Sequence, residues 1–128
     1  MNEDVKTMIR IAAKAGMLAK GPGSPQHTPS EAAEAYMRVE LQQAFPEDRI
    51  VSEEDDDTAQ AGRVWIINPS VMIGLRVDGQ PTLGCVVTDP NNTIYWGERG
   101  NGAYEFLKDG TNRELPSVDT LPGIKELL

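Results

Sequence analysis

Near the N-terminus, apolar residues recur at helical spacing. Val5, Met8, Ile9, Ala12 and Gly16 share one face when the chain is wound at three- and four-residue steps. Asn2 or Asp4 can cap the start of this helix, and Gly21-Pro22 stops it. The segment GPGSPQH then reads as a short flexible connector, because its residues either fix or free the backbone. Thr28, Pro29, Ser30 and Glu31 spell a capping box with proline at the first helical position. A second apolar stripe follows at Ala33, Met37, Leu41, Ala44 and Phe45 and ends before Pro46.

Beyond Pro46 the period changes. Short apolar runs at IVS, VWII, VMIGLRV, LGCVV, TIYW and AYEFL are separated by turn chemistry and predict strands. Asp78-Gly79 is a hairpin signal, since an early turn position with positive φ suits the pair, and DPNN at 89 to 92 predicts another turn. The later strands are therefore expected to pair antiparallel. The predicted class is α+β, with two N-terminal helices packed on a mainly antiparallel sheet in a single domain spanning residues 1–128. Two helices cover one face of such a sheet, so the second face needs a cover of its own.

Composition narrows the chemistry. An apolar content of 39% in 128 residues is ordinary for one globular domain. No run of about 18 apolar residues could span a bilayer, and MNEDVKTMIR lacks the apolar stretch of a signal peptide, so a cytoplasmic location is expected. A net charge of -8 repels phosphate backbones and anionic lipid, which argues against nucleic-acid and membrane partners and makes cations the more natural charged ones. The single cysteine, Cys85, sits in LGCVV and reads as a buried hydrophobe rather than a nucleophile. His27 lacks neighbouring ligands or a nucleophile and reads as an exposed loop residue. Trp65 and Trp96, without flanking Lys or Arg, read as core or interface residues rather than base-stacking platforms. GNG at 100 to 102 reads as a turn, since no helix start or Lys follows it.

Several segments, in order, resemble the N-terminal half of the inositol monophosphatase superfamily, which includes bisphosphate nucleotidases and fructose bisphosphatases. HTPSEAAE stands where that family has VTxAD, FPEDRIVSEED is similar to FPxxxIxxEE, and VWIINP is similar to WxIDP. DGQPTLGCVVTDP is similar to the strand-turn-strand that ends GVVxxP, and GERGNGAYEF to the GxGA element before a further strand. The resemblance runs nearly the whole chain, and its weight comes from the order and spacing of five weak elements.

The resemblance implies a fold in which carboxylates hold magnesium ions that bind a phosphate ester and activate water. It places Glu53 at a magnesium-ligand position and puts Glu31 where the family has an aspartate, although the capping box already explains Glu31. Asn68 replaces a metal-binding aspartate, and a neutral amide cannot neutralise a dication as a carboxylate does. The DGT element is absent: INPSVMIGL runs almost directly into the next strand, as if about a dozen residues of phosphate-cradling loop were removed. GPGSPQH looks shorter than the family's loop, and the sequence stops where the family's second half would start.

The expected function is a degenerate, non-catalytic module of this fold that acts through binding, to itself or to another protein, with magnesium at most weakly held. One alternative is a magnesium-dependent phosphatase of small phosphate monoesters whose site is completed by a second subunit, with Glu53, Asp55 or Asp56 supplying carboxylates. Another is a sugar-phosphate or nucleotide binder that does not hydrolyse its ligand. A homodimer is expected because the uncovered sheet face would expose a large apolar patch, and Trp65, Tyr95 and Trp96 are the anchors expected at its interface.

Overall fold

The computed structural model describes residues 1–55, 61–88 and 92–115. Helix α1, Glu3–Ala19, starts at Asn2, whose side chain accepts from the Val5 amide. Its buried side carries Val5, Met8, Ile9, Ala12 and Gly16, together with Ile11 and Ala15. Helix α2, Pro29–Ala44, opens with the reciprocal capping box of Thr28 and Glu31. Ala33, Met37 and Leu41 are its buried residues. Ala44, expected in the same stripe, is exposed because the helix ends there, and Phe45 caps it half-buried. The connector between the helices is folded on itself: Ser24 and His27 exchange backbone hydrogen bonds of 2.9 and 3.3 Å, and the Ser24 hydroxyl accepts from the Gln26 and His27 amides.

Seven strands follow: β1 Arg49–Ser52, β2 Arg63–Asn68, β3 Met72–Val77, β4 Gln80–Thr88, β5 Thr93–Glu98, β6 Gly102–Phe106 and β7 Asn112–Glu114. They form one sheet in sequence order. All neighbours pair antiparallel except β1 and β2, which run parallel. The hairpin between β3 and β4 turns at Asp78 and Gly79, both at positive φ (49° and 81°), as the primed turn requires. The turn expected at DPNN lies mostly outside the described residues, though Asn92 has a positive φ of 53°. GNG at 100 to 102 is a turn, with Gly100 and Gly102 both at φ 84°.

The pleat sends Trp65, Ile67, Ile73, Leu75, Leu83, Cys85, Val87, Ile94 and Trp96 to the same side, where they join the buried faces of both helices in one core. Trp65 is fully buried and stacks on Phe45 with ring centroids 4.7 Å apart. Its indole Nε1 donates to Asp48 at 2.8 Å, and Arg63 reaches the same carboxylate at 2.9 Å while also bridging to Asp4 of α1. Trp96, 6% exposed, stacks on Tyr104 and donates to Asn112. No helix among the described residues is long and apolar enough to cross a membrane.

The opposite face has no helix on it among the described residues. Residues directly paired across the sheet there are Ile66, Gly74, Gly84, Gly97 and Ala103, a row from β2 to β6 whose middle three members are glycines. The adjoining row holds Asn68, Met72, Val86 and Tyr95. Met72 is 44% exposed. Tyr95 is thus the one expected interface anchor on this open face. Trp65 and Trp96 point the other way, into the core, because side chains one position apart in a strand face opposite sides.

Candidate functional site

Parallel strands β1 and β2 end side by side. Ser52 pairs with Ile67, so the next residues along, Glu53 and Asn68, emerge together at the carboxyl ends of both strands. Glu53 opens a single 3-10 turn, Glu53–Asp55, in which the Ser52 hydroxyl donates to Asp55 at 2.8 Å. Asn68 uses both ends of its amide. Nδ2 donates to the Glu53 carboxylate, and Oδ1 accepts from the Ser70 amide at 2.7 Å.

That second bond shapes the link to β3. Only Pro69, Ser70 and Val71 separate β2 from β3, and the turn closes with the Val71 amide donating to the Asn68 carbonyl at 2.9 Å. Val71 adopts φ 63°, a left-handed conformation that a β-branched residue enters at a cost of about 1–3 kcal/mol. The surroundings hold it there. Its side chain is buried in the core, and its carbonyl accepts from the Val87 amide at 3.0 Å. The shortened connection inferred from INPSVMIGL is therefore a tight, side-chain-capped turn.

Glu31 stands in its cap. The Thr28 amide donates to its carboxylate at 2.9 Å, and the bonds with Thr28, backbone first and hydroxyl second, hold its carboxyl below the usual range. Asp56 lies outside the described residues. His27 engages through its backbone within the connector, and Cys85 is buried in β4, where burial pushes its thiol up to about 12.

Magnesium asks for several oxygen ligands in near-octahedral array. At the strand ends one carboxylate, Glu53, faces an amide that donates N–H toward it. Among the described residues no group of three or more carboxylate, imidazole or thiol side chains is gathered as a metal site. The described residues at this place do not by themselves fit the ion.

Beside this pair lies a groove of about 470 Å³ along the open sheet face, floored by Gly74, Gly84 and Gly97, walled by Ile66, Val86 and Tyr95, with Glu53 and Asn68 at its rim. None of the three glycines has a positive φ. A methyl group at Gly74 would meet nothing nearer than the Leu83 carbonyl at 3.9 Å, and at Gly97 the nearest atom is the Gly102 carbonyl at 3.4 Å. Only at Gly84, 3.3 Å from the Ile73 carbonyl, is the approach tight. Backbone conformation therefore demands glycine at none of them, although glycine in a strand interior costs about 0.5–1 kcal/mol relative to alanine. No local sequence signal marks this row; it emerges only once the strand register is known.

The architecture has close counterparts among solved structures. Mycobacterium tuberculosis SuhB superposes with a TM-score of 0.69 at 24% identity, over 91% of this chain and 53% of that one. The fold of this chain is that of about half of an inositol monophosphatase. An inositol monophosphatase of Thermotoga maritima matches with a TM-score of 0.68 at 20% identity, over 81% of this chain and 51% of that one. The inositol monophosphatase II of Staphylococcus aureus, seen with inositol monophosphate bound, gives 0.66 at 22% identity over 79% and 46%. In sequence, the chain is 29% identical to a histidinol-phosphatase of Chlorobaculum parvum over 132 residues, 81% of this chain and 51% of the relative. The chain spans about half the length of these relatives. No protein-family model matches it.

Proposed function

We propose that this chain is an inositol monophosphatase-like module that does not hydrolyse phosphate esters by itself and acts by binding through the open face of its sheet, with a second copy of the chain as partner. The observation that carries this reading is the link between β2 and β3. Where the resemblance calls for an aspartate and a phosphate-cradling loop, the chain has Asn68 and a turn of Pro69, Ser70 and Val71 closed on itself by hydrogen bonds. Among the described residues, one carboxylate, Glu53, and no free run of backbone amides remain at that place to meet a phosphate. Self-association is supported by the open face, where Ile66, Met72, Val86 and Tyr95 surround a glycine-floored groove that no described helix covers. One patch buried against its own copy about a two-fold axis is the commonest closed arrangement.

The names of the relatives favour a second reading, in which a partner completes a phosphatase site around Glu53. Both readings meet the same experiment. Purified protein is incubated with magnesium and inositol monophosphate, histidinol phosphate, a bisphosphorylated nucleotide or an aryl phosphate, and released phosphate is measured. No turnover is expected; turnover abolished by Glu53→Gln would replace the first reading with the second. Ligand binding without hydrolysis finds less support, since no Lys, Arg or His lines the groove among the described residues.

A further inference from the structure

We infer that Asn68 is a built-in substitute for a cation: its amide supplies the positive end of a dipole to Glu53 and so makes the paired ends of β1 and β2 stable without a metal ion. The two strands deliver two side chains to one point, because Ser52 pairs with Ile67 and the following residues are Glu53 and Asn68. Of the amide's two ends, Oδ1 is committed to the Ser70 amide at 2.7 Å. That bond fixes which way the side chain lies and leaves Nδ2 aimed at the Glu53 carboxylate, to which it donates. An aspartate in place of Asn68 could make the first bond equally well, since a carboxylate oxygen accepts as an amide oxygen does. It could not make the second. Its other oxygen would face Glu53 as a like charge, and the pair would then need a cation between them.

This Asn68–Glu53 lock rests on the non-hydrolysing reading for its place at the site, yet it stands or falls on melting behaviour, whereas turnover bears on that reading alone. The test compares thermal melts of wild type, Asn68→Asp, Glu53→Gln and the double variant, each with and without magnesium or calcium. Wild type is expected to melt at the same temperature with and without either ion. Asn68→Asp is expected to melt several degrees lower in the absence of divalent ions and to recover when they are added. The double variant reverses the hydrogen bond, with the introduced glutamine amide donating to the introduced carboxylate, and is expected to recover without any ion. That recovery measures coupling between the two positions rather than a loss at either alone. Should Asn68→Asp fail to fold, the double variant still decides: its folding supports the lock and its failure overturns it. A wild-type melt raised by magnesium, or an Asn68→Asp melt equal to wild type and indifferent to ions, would overturn the inference as well.

Discussion

Asp48 shows how much one side chain can hold. Its carboxylate, 9% exposed, accepts from Arg63 Nε at 2.9 Å and from the Trp65 indole at 2.8 Å, while Arg63 lies 5.8 Å from the centre of the Phe45 ring and reaches Asp4. Removing it strands a buried indole N–H, so Asp48→Ala should lower the unfolding free energy by about 2 kcal/mol in a denaturant titration. Asp48→Asn should lose less, because an amide oxygen can still accept from Trp65. FPEDR is visible in the sequence, but its partners Arg63 and Trp65 are not, since they arrive from β2 only when the chain has folded. Cys85 is legible in the sequence as a buried hydrophobe, and burial gives it a pH signature. A thiol raised from 9.0 to about 12 is favoured in its neutral form by the fold, so its contribution is complete below pH 9.0 and is lost as pH rises toward 12. Cys85→Ala should therefore show a shallower loss of stability than wild type across that alkaline range, followed by denaturant midpoint against pH.

At the level of elements, the capping box offers the cleanest test. Thr28 accepts the Glu31 amide at 3.2 Å, and Thr28→Ala should lose about 1 kcal/mol of stability, read from the denaturant midpoint. Glu31→Gln should keep most of it, because a glutamine oxygen can take the Thr28 amide in the same way. The depressed Glu31 carboxyl favours the fold above its unfolded value of 4.5, and that contribution fades as pH falls below it. Both helices, their caps and the Asp78-Gly79 hairpin are legible because each is specified within a few residues. The parallel pairing of β1 with β2 is not: it joins Arg49 to Val64 across an intervening acidic segment, and no local pattern encodes it. Strand β7, Asn112–Glu114, escapes the apolar pattern for a different reason. It is short, polar and fully exposed, an edge strand held by pairing to β6 rather than by burial. The candidate site divides along the same line. That Asn68 takes an aspartate's place is readable beside the resemblance, whereas its bond to Glu53 depends on the register of two distant strands.

For the molecule as a whole, both ends of the sheet among the described residues discourage edge-to-edge growth. β1 is only four residues long and begins with Arg49, and β7 presents Asn112, Arg113 and Glu114 to solvent. The proposed pairing uses the open face, and light scattering at micromolar concentration should report twice the 14.0 kDa chain mass. A monomeric mass would count against the proposed pairing. The glycine row sets a trade-off within that surface. Alanine at position 74 meets no atom nearer than 3.9 Å and restricts the unfolded chain, so Gly74→Ala should raise the melting temperature of the isolated chain. The same methyl group makes the floor of the groove shallower, and the proposed dimer should dissociate more readily on dilution. Robustness of the single chain and readiness to pair thus pull on Gly74 in opposite directions, so a variant chosen for heat resistance alone would drift toward solitude.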